Sequence, residues 1–455
     1  MKALVLLSSL GVVTLLAEIF SFKKRLYPFV LLGIIAIFIV NIFDWNTNQL
    51  YFNMLRTDNY AVAFTGVILG IGFLWFMMAD GFFKEESNQT DHYSLILFAL
   101  AGAVIMVSYT NMAMLFLGIE ILSIPMYILC GSNKLDLSSN EAAFKYLIMG
   151  AFATGFLLFG ITLIYGATGS FDLKEIATAV ASQATVSPIF YVGVLLMLTG
   201  LSFKVSAAPF HFWAPDVYQG APTVITAFMA TIVKIAGFGA FLKLFSTTFN
   251  NAHDTWGTTI WVIAALSMLV GNITAIFQTS TKRLLAYSSI AHAGYILLAL
   301  LAGNSFSSSA VLMYATAYSI GSIATFGIVD IISKTRGSDG IDHFNGLGKS
   351  NPFLAFVMAV ALFSLAGIPP TAGFFAKYYI FTSAFMAGNP GLVLIAIIAS
   401  LIGIYYYFKI VIAMYFKEGN KEPIQVQANH KILLIIIVFA IFVLGLFPDL
   451  IISLL

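Results

Sequence analysis

The sequence predicts an all-α protein that crosses a membrane many times. Three observations carry that reading. The 455 residues are 60% hydrophobic and only 9% charged, whereas soluble domains carry about a quarter charged residues. The apolar residues fall into successive runs of about 17–25 residues, the length that crosses a bilayer as a helix. Lysine and arginine are shared unevenly between alternate loops, the asymmetry that sets orientation in a bilayer.

About fourteen such runs follow one another, with approximate limits 3–21, 26–43, 60–79, 92–108, 111–131, 142–165, 188–215, 221–245, 257–278, 284–303, 308–332, 351–386, 391–416 and 430–454. The first run begins behind Lys2 as a secretory signal would. No A-x-A-like cleavage site follows it, and Lys23, Lys24 and Arg25 close it, so it reads as a retained span. One set of alternate loops holds Lys23, Lys24, Arg25, Lys84, Lys134, Lys282, Arg283, Lys334, Arg336, Lys349, Lys417, Lys421 and Lys431, 13 cations in all. The other holds 4: Lys2, Arg56, Lys174 and Lys243. The positive set faces the cytoplasm, which places both termini outside. The longest loops, 44–59, 166–187, 333–350 and 417–429, leave no room for a soluble domain.

Two runs carry breaks. In Gly200–Thr223, GLSFKVSAAPFHFWAPDVYQGAPT, Lys204 is followed by Pro209, His211, Pro215 with Asp216, and Pro222. A lysine in a span is expensive, and a helix-interior proline costs about 3 kcal/mol. The two within five residues indicate a broken helix beside a buried, titratable cation. The twelfth run breaks at Gly367-Ile368-Pro369-Pro370, and Lys377 follows. The breaks lie five spans apart. Five is odd, so two such units have opposite topology, a recurring transporter plan with its site at the breaks.

The remaining charges within spans are few. Glu120 sits mid-span in LFLGIEILSIPMY and is either a neutral packing residue or the partner of Lys204. A carboxylate that approaches and leaves a buried lysine changes its hold on a proton; a static pair would add little stability. Lys234, in ATIVKIAGF, is too central to snorkel to either surface. Lys377 is a second mid-membrane cation, or a snorkelling one if its break lies nearer the surface. Glu141 and Lys145 share a helix face at i, i+4, as an interfacial pair or as part of a proton-uptake site. Lys409 and Glu18 lie near span ends, where snorkelling is favoured. His211, inside the first break, and His292, in SSIAHAGY, titrate near neutrality. Each reads equally as a relay or as a hydrogen-bonded structural group.

Cofactor chemistry has little foothold. Cys130 is the single cysteine, which excludes an internal disulfide and a cysteine-built metal or iron–sulfur site. No phosphate loop or G-x-G-x-x-G fingerprint occurs, and the six histidines are scattered. The net charge of +2 gives no sign of nucleic-acid binding. The expected work is therefore driven by a gradient or by a partner.

Four stretches together resemble the antiporter-like subunits of the proton-pumping NADH:quinone oxidoreductase, respiratory complex I: LFLGIEILSIP at 115–125, FKVSAAPFHFWAPDVYQGAPT at 203–223, TKRLLAYSSIAHAGY at 281–295 and SLAGIPPTAGFFAKYYI at 364–380. The resemblance covers nearly the whole chain. It implies fourteen helices: three N-terminal spans in 1–91, inverted five-helix repeats in 92–245 and 257–416, and a last span in 430–455. It implies a proton path through Glu120, Lys204, Lys234 and Lys377, with Lys145 and His211 also at family positions. The L-type sister continues past its core into a lateral helix, and the M-type sister carries glutamate where this chain has Lys377, which leaves the N-type branch. The sisters carry a histidine on span eleven; here VLMYATAYSIGSIATFGIV has none, so either Tyr314, Tyr318 or water serves or the path is routed differently. The resemblance further implies a non-redox translocase subunit of the bacterial inner membrane. Flavin, iron–sulfur clusters and quinone belong to partner subunits. The partners are other membrane-arm subunits, a second antiporter-like subunit and small membrane subunits among them, and lipids. The alternatives are a subunit of a multisubunit sodium/proton antiporter, against which the lack of a sodium-type carboxylate cluster counts mildly, and a purely structural membrane-arm subunit.

Overall fold

The computed structural model describes residues 1–19, 25–85, 89–182, 187–419 and 422–455. The chain opens with α1 (Lys2–Leu16) and α2 (Leu26–Ile42) and a small antiparallel hairpin, β1 (Gln49–Tyr51) with β2 (Leu55–Thr57). There follow α3 (Asn59–Met78), α4 (Asp80–Glu85), α5 (Gln89–Ser108), α6 (Met112–Cys130), α7 (Leu137–Thr168), α8 (Leu173–Ser182), α9 (Pro188–Lys204), α10 (Trp213–Gly220), α11 (Thr223–Ala230) and α12 (Ile232–Lys243). The second half contains α13 (His253–Ile276), α14 (Thr281–Ala302), α15 (Ser307–Arg336), α16 (Leu347–Ser350), α17 (Pro352–Ala366), α18 (Ala372–Met386), α19 (Pro390–Phe416), α20 (Ala428–Leu446) and α21 (Asp449–Ile452). Among the described residues, 10 helical stretches are long and apolar enough to cross a membrane, and α1, α2, α9 and α17 are apolar but shorter.

Local chemistry sets where the helices begin and end. Asp58, Asn111, Asp136, Ser280 and Asn351 each accept a backbone N–H of the following first turn, the side-chain cap that satisfies an orphan donor. Gly169, Gly303, Gly337 and Gly367 stop α7, α14, α15 and α17 in the left-handed region, where glycine has no Cβ to clash.

The helices form a core and a rim. The apolar window of Thr223–Thr248 is 100% buried and that of α14 94%, whereas the windows of α7 and α20 are 33% buried. Leu32, Phe152, Phe439 and Leu401 stand exposed on the rim. Such an apolar exterior is stable only in a bilayer or against other membrane proteins. The chain is thus an all-α, multi-pass membrane protein.

Several helices approach backbone to backbone; a Cβ at Gly102 of α5, for instance, would lie 2.6 Å from Leu122 N of α6. A Cβ at Gly160 would lie 2.8 Å from the Gly193 carbonyl oxygen, and one at Gly193 would lie 2.9 Å from that of Gly160, joining α7 to α9. A Cβ at Gly271 would sit 2.6 Å from Ala291 N, and one at Gly294 2.8 Å from Ala264 O, joining α13 to α14. Only small residues allow such approach.

Several expectations need correction. The eighth run, 221–245, is not one helix: α11 and α12 meet at Thr231 (φ −112, ψ −80), whose hydroxyl donates to Ala227 O at 2.7 Å. A threonine that bonds back into its own helix is a weak sequence signal, unlike the prolines of the seventh run. The sixth run extends beyond 142–165 to Leu137–Thr168, and the expected loop 166–187 contains α8. Lys282, expected in a loop, lies in the first turn of α14 and is 8% exposed. Lys243, also expected in a loop, is in the last turn of α12, its ammonium 5.8 Å from the Tyr60 ring and 5.5 Å from that of Tyr109. Lys23, Lys24, Lys421 and the side chain of Lys84 fall outside the described residues.

Candidate functional site: a row of buried lysines

The first break positions Lys204. It is the last residue of α9, after which Val205–Phe212 runs irregularly, through Ser206 in the left-handed region (φ 55) and a cis Ala208–Pro209 bond, to α10. The freed backbone groups are reassigned. Ala208 N donates to Ser267 Oγ of α13 at 2.8 Å, and the Trp213 indole donates to Phe203 O at 3.2 Å. Lys204 is 6% exposed, and its ammonium donates to Ser123 Oγ of α6 at 2.7 Å. The Ser123 hydroxyl in turn donates to Ile119 O.

Glu120 stands three residues before Ser123, so the two share a face of α6. Glu120 and Lys204 are not in direct contact: among the described residues no ion pair joins them, and Ser123 takes the ammonium. The Glu120 carboxylate accepts from Thr154 of α7 at 2.9 Å and lines a cleft with Ile124, Tyr127, Phe144 and Leu147. Ile128, Asn140 and Ala143 also border it, which makes this a lateral and mainly apolar recess.

Lys234, 3% exposed, follows the Thr231 interruption by three residues. Its ammonium donates to the backbone carbonyl of Ser289 in α14 and lies 6.0 Å from the Tyr318 ring. Lys377 follows the second break, which includes a cis Pro369–Pro370 bond. It is 7% exposed and donates to Ala366 O, at the end of α17, at 2.6 Å and to Ser400 Oγ at 2.8 Å. A cation at a helix C-terminus meets the negative end of its dipole. The ring of Tyr295 lies 5.2 Å from the same ammonium.

Between Lys234 and Lys377 runs a polar seam that sequence reading located only in part. His292 of α14 pairs with Tyr314 OH at 2.7 Å and with Tyr407 OH at 3.1 Å, and its ring lies 4.7 Å from that of Tyr318. Tyr407 OH also bonds the Ser288 hydroxyl. Asn272 of α13 donates to Tyr295 OH at 3.1 Å and accepts from Tyr406 OH at 3.2 Å. α15 carries no histidine, and α14 places His292 among tyrosines of α15 and α19. Tyr406, Tyr407 and Asn272 carried no signal of their own, since a tyrosine pair in an apolar run reads equally as rim or core.

The other candidates lie apart. Lys145 pairs with Glu141 at 2.6 Å, as i, i+4 spacing predicts, and with Asp216 of α10 at 2.7 Å; Arg283 meets the other Asp216 oxygen at 2.8 Å. Burial would raise the Asp216 carboxyl, but Lys145 and Arg283 together hold it below the ordinary carboxylate value. His211 is 6% exposed, stacks on Phe212 at 4.6 Å, and its Nδ1 has no partner among the described residues. Lys409 donates to Gln278 O at 3.0 Å beyond the end of α13, and Glu18 accepts from Thr90 at 3.0 Å.

Comparison with known proteins agrees with this architecture. Residues 109–403 match a family described as the NADH:quinone oxidoreductase/Mrp antiporter membrane domain. A relative from Cytophaga hutchinsonii named NADH-quinone oxidoreductase subunit N is 45% identical over 100% of this chain and 99% of its own length. A chain of respiratory complex I from Thermus thermophilus superposes with a TM-score of 0.85 at 32% identity, covering 99% of this chain and 98% of that one. A chain of the Mrp complex from Dietzia sp. DQ12-45-1b superposes with a TM-score of 0.87, covering 100% of this chain and 96% of that one, but at 19% identity it shares the fold alone. This chain belongs to the NADH:quinone oxidoreductase/Mrp antiporter family of membrane subunits, on the branch of NADH-quinone oxidoreductase subunit N.

Proposed function

We propose that the chain is a proton-translocating membrane-arm subunit of an NADH:quinone oxidoreductase and performs no redox chemistry itself. The observation that carries this reading is the row of buried ammonium groups, Lys204, Lys234 and Lys377. Each is held by a neutral carbonyl or hydroxyl rather than a carboxylate. A cation so held can release its proton without leaving an uncompensated anion behind. The seam through His292, Tyr314, Tyr407 and Tyr295 offers exchangeable protons between Lys234 and Lys377.

Protons enter from the cytoplasm, load the buried lysines and leave near Lys377. Moving one charge against 100 mV takes about 2.3 kcal/mol. That is the size of one charge-assisted hydrogen bond made or lost, so small movements of Glu120 relative to Ser123 and Lys204 suffice to drive loading. The two breaks sit in corresponding places of inverted repeats spanning 92–245 and 257–416, and the four shorter apolar helices complete fourteen spans with both termini outside. Flavin, iron–sulfur clusters and quinone reside in partner subunits of the same inner-membrane complex, and the apolar rim meets those subunits and lipid.

The test is Lys204→Ala in a fully assembled complex, with proton uptake by vesicles driven by NADH oxidation. Wild-type pumping by that variant would sink the role. The matched family, whose description includes the Mrp antiporter, leaves one second reading, a sodium/proton antiporter subunit; ion exchange by vesicles with no electron donor present would select it instead.

A further inference from the structure

A further cavity lies apart from Lys204, Lys234 and Lys377 and opens beside α10. It encloses about 850 Å³ and is bordered by Asp136, Lys145, Asp216, Asp330 and Lys334 among others. Lys282 forms part of its wall. This lysine is buried, and its ammonium donates to the carbonyl of Ala221, where α10 ends, at 2.6 Å. Among the described residues it forms no ion pair, although acidic groups border the same cavity.

From Lys282 inward, two elements lead to Lys234. Ser289 is seven residues further along α14, about 10.5 Å by helix rise, and it is the Ser289 carbonyl that accepts from Lys234. Tyr218 lies three residues before Ala221 on α10 and is buried. The wholly buried Ser289 hydroxyl faces the hydroxyls of Tyr218 and Tyr318 and completes a full hydrogen bond with neither. Buried hydroxyls are nearly always paired, so one left between two tyrosines and a lysine site is free to change partners. The proton seam described above has its members on the far side of Lys234 and uses neither Lys282 nor Tyr218.

We propose that Lys282 is a proton carrier at the wall of this cavity, handing protons through the hydroxyls of Tyr218 and Ser289 to Lys234; the inference rests on the proton-translocation reading. The Lys282 ammonium gives a proton to the first hydroxyl oxygen, and that hydroxyl passes on its own proton. The neutral Lys234 amine takes the last one and becomes an ammonium. Each hydroxyl ends with one proton, as it began, and Lys282 is reloaded from the aqueous cavity. No electrons move.

The experiment uses the assembled complex in vesicles, with its amount fixed by NADH oxidation with an artificial acceptor. Lys282→Arg keeps the charge and a donor for Ala221, but arginine is not deprotonated in proteins. Proton uptake is therefore expected to fall by roughly a hundredfold, the lower end of what a single acid–base group contributes, as it does in Lys282→Met. Wild-type uptake by Lys282→Arg would overturn the proposal. If the lysine variants fail to assemble, Tyr218→Phe decides, because it keeps the ring and removes only the hydroxyl. A slower uptake with an increased D2O effect is expected, and an unchanged rate with an unchanged D2O effect would overturn the route. Lys377→Ala is measured alongside. Normal uptake there defeats the wider translocation reading, whereas loss there with normal uptake in Lys282→Arg defeats only the role of Lys282.

Discussion

Gly367→Ala is the most informative single change at the second break. Gly367 has φ 84, and a Cβ there would sit 2.8 Å from Lys377 Cδ and 3.3 Å from its Nζ. Two costs follow. A left-handed conformation costs a non-glycine residue about 1–2 kcal/mol. In addition, carbon atoms prefer separations of about 3.5–4.0 Å, so the lysine stem must retreat by about 0.7 Å. That retreat pulls the ammonium from Ala366 O and Ser400 Oγ, now at 2.6 and 2.8 Å. A hydrogen bond to a charged group contributes about 1.5–3 kcal/mol, and every 1.4 kcal/mol is about tenfold. Proton uptake driven by NADH is expected to fall about tenfold or more. The control is Gly388→Ala, where φ is 79 and no atom lies within 4 Å of the new Cβ. It carries the same backbone strain without touching a lysine, and is expected to lower thermal stability while leaving uptake intact. If both variants pump alike, in complexes of equal amount, the seating of Lys377 is not what the break provides.

Other outcomes follow from the same geometry. Ser123→Ala removes the hydroxyl that accepts from the Lys204 ammonium, and is expected to draw Glu120 into a direct pair and slow uptake about tenfold; an unaltered rate would show that the serine is incidental. Tyr314→Phe keeps the ring beside His292 and deletes its 2.7 Å hydrogen bond, so uptake is expected to decline more than assembly, checked by blue-native electrophoresis against vesicle pumping. Asp216 is held below its ordinary value by Lys145 and Arg283. Its contribution to stability is therefore present above the unfolded-state value near 3.9 and is lost as pH falls through the lower folded value. Asp216→Asn is expected to flatten thermal stability against pH in that acidic window, and an unchanged profile would exclude Asp216 as the source. Gly193→Leu is expected to prevent assembly, because its side chain would meet the Gly160 carbonyl and Ile164; recovery of normal complex would refute the close α7–α9 contact.

The legible features were those whose cost is visible in one dimension. Lysines amid apolar residues announce themselves, and Pro209 and Pro370 mark breaks because proline cannot continue a helix hydrogen-bond ladder. The i, i+4 pair Glu141–Lys145 is visible for the same reason. What escaped depends on contacts between distant segments. The interruption at Thr231 is a local backbone departure, φ −112 and ψ −80, at a residue type that leaves no compositional trace. The substitution of Ser123 for Glu120 as the Lys204 partner depends on how α6 is rotated against α9. The seam of Asn272, Tyr406 and Tyr407 assembles from α13 and α19, more than a hundred residues apart. Lys282 was misread because a cation at a span terminus looks like a loop residue until the packing of α10 covers it.

The glycine contacts between α7 and α9, and between α13 and α14, restrict how energy can reach this subunit. Carbonyl and amide groups lie where a side chain would otherwise be, so neither pair can be pressed closer together, and sliding one helix along the other would drive backbone into backbone. Those two contacts resist relative movement of the helices that make them, and the interrupted segments carry no such contact between these pairs. A signal arriving from a neighbouring subunit is then better carried as a shift of charge than as a piston stroke.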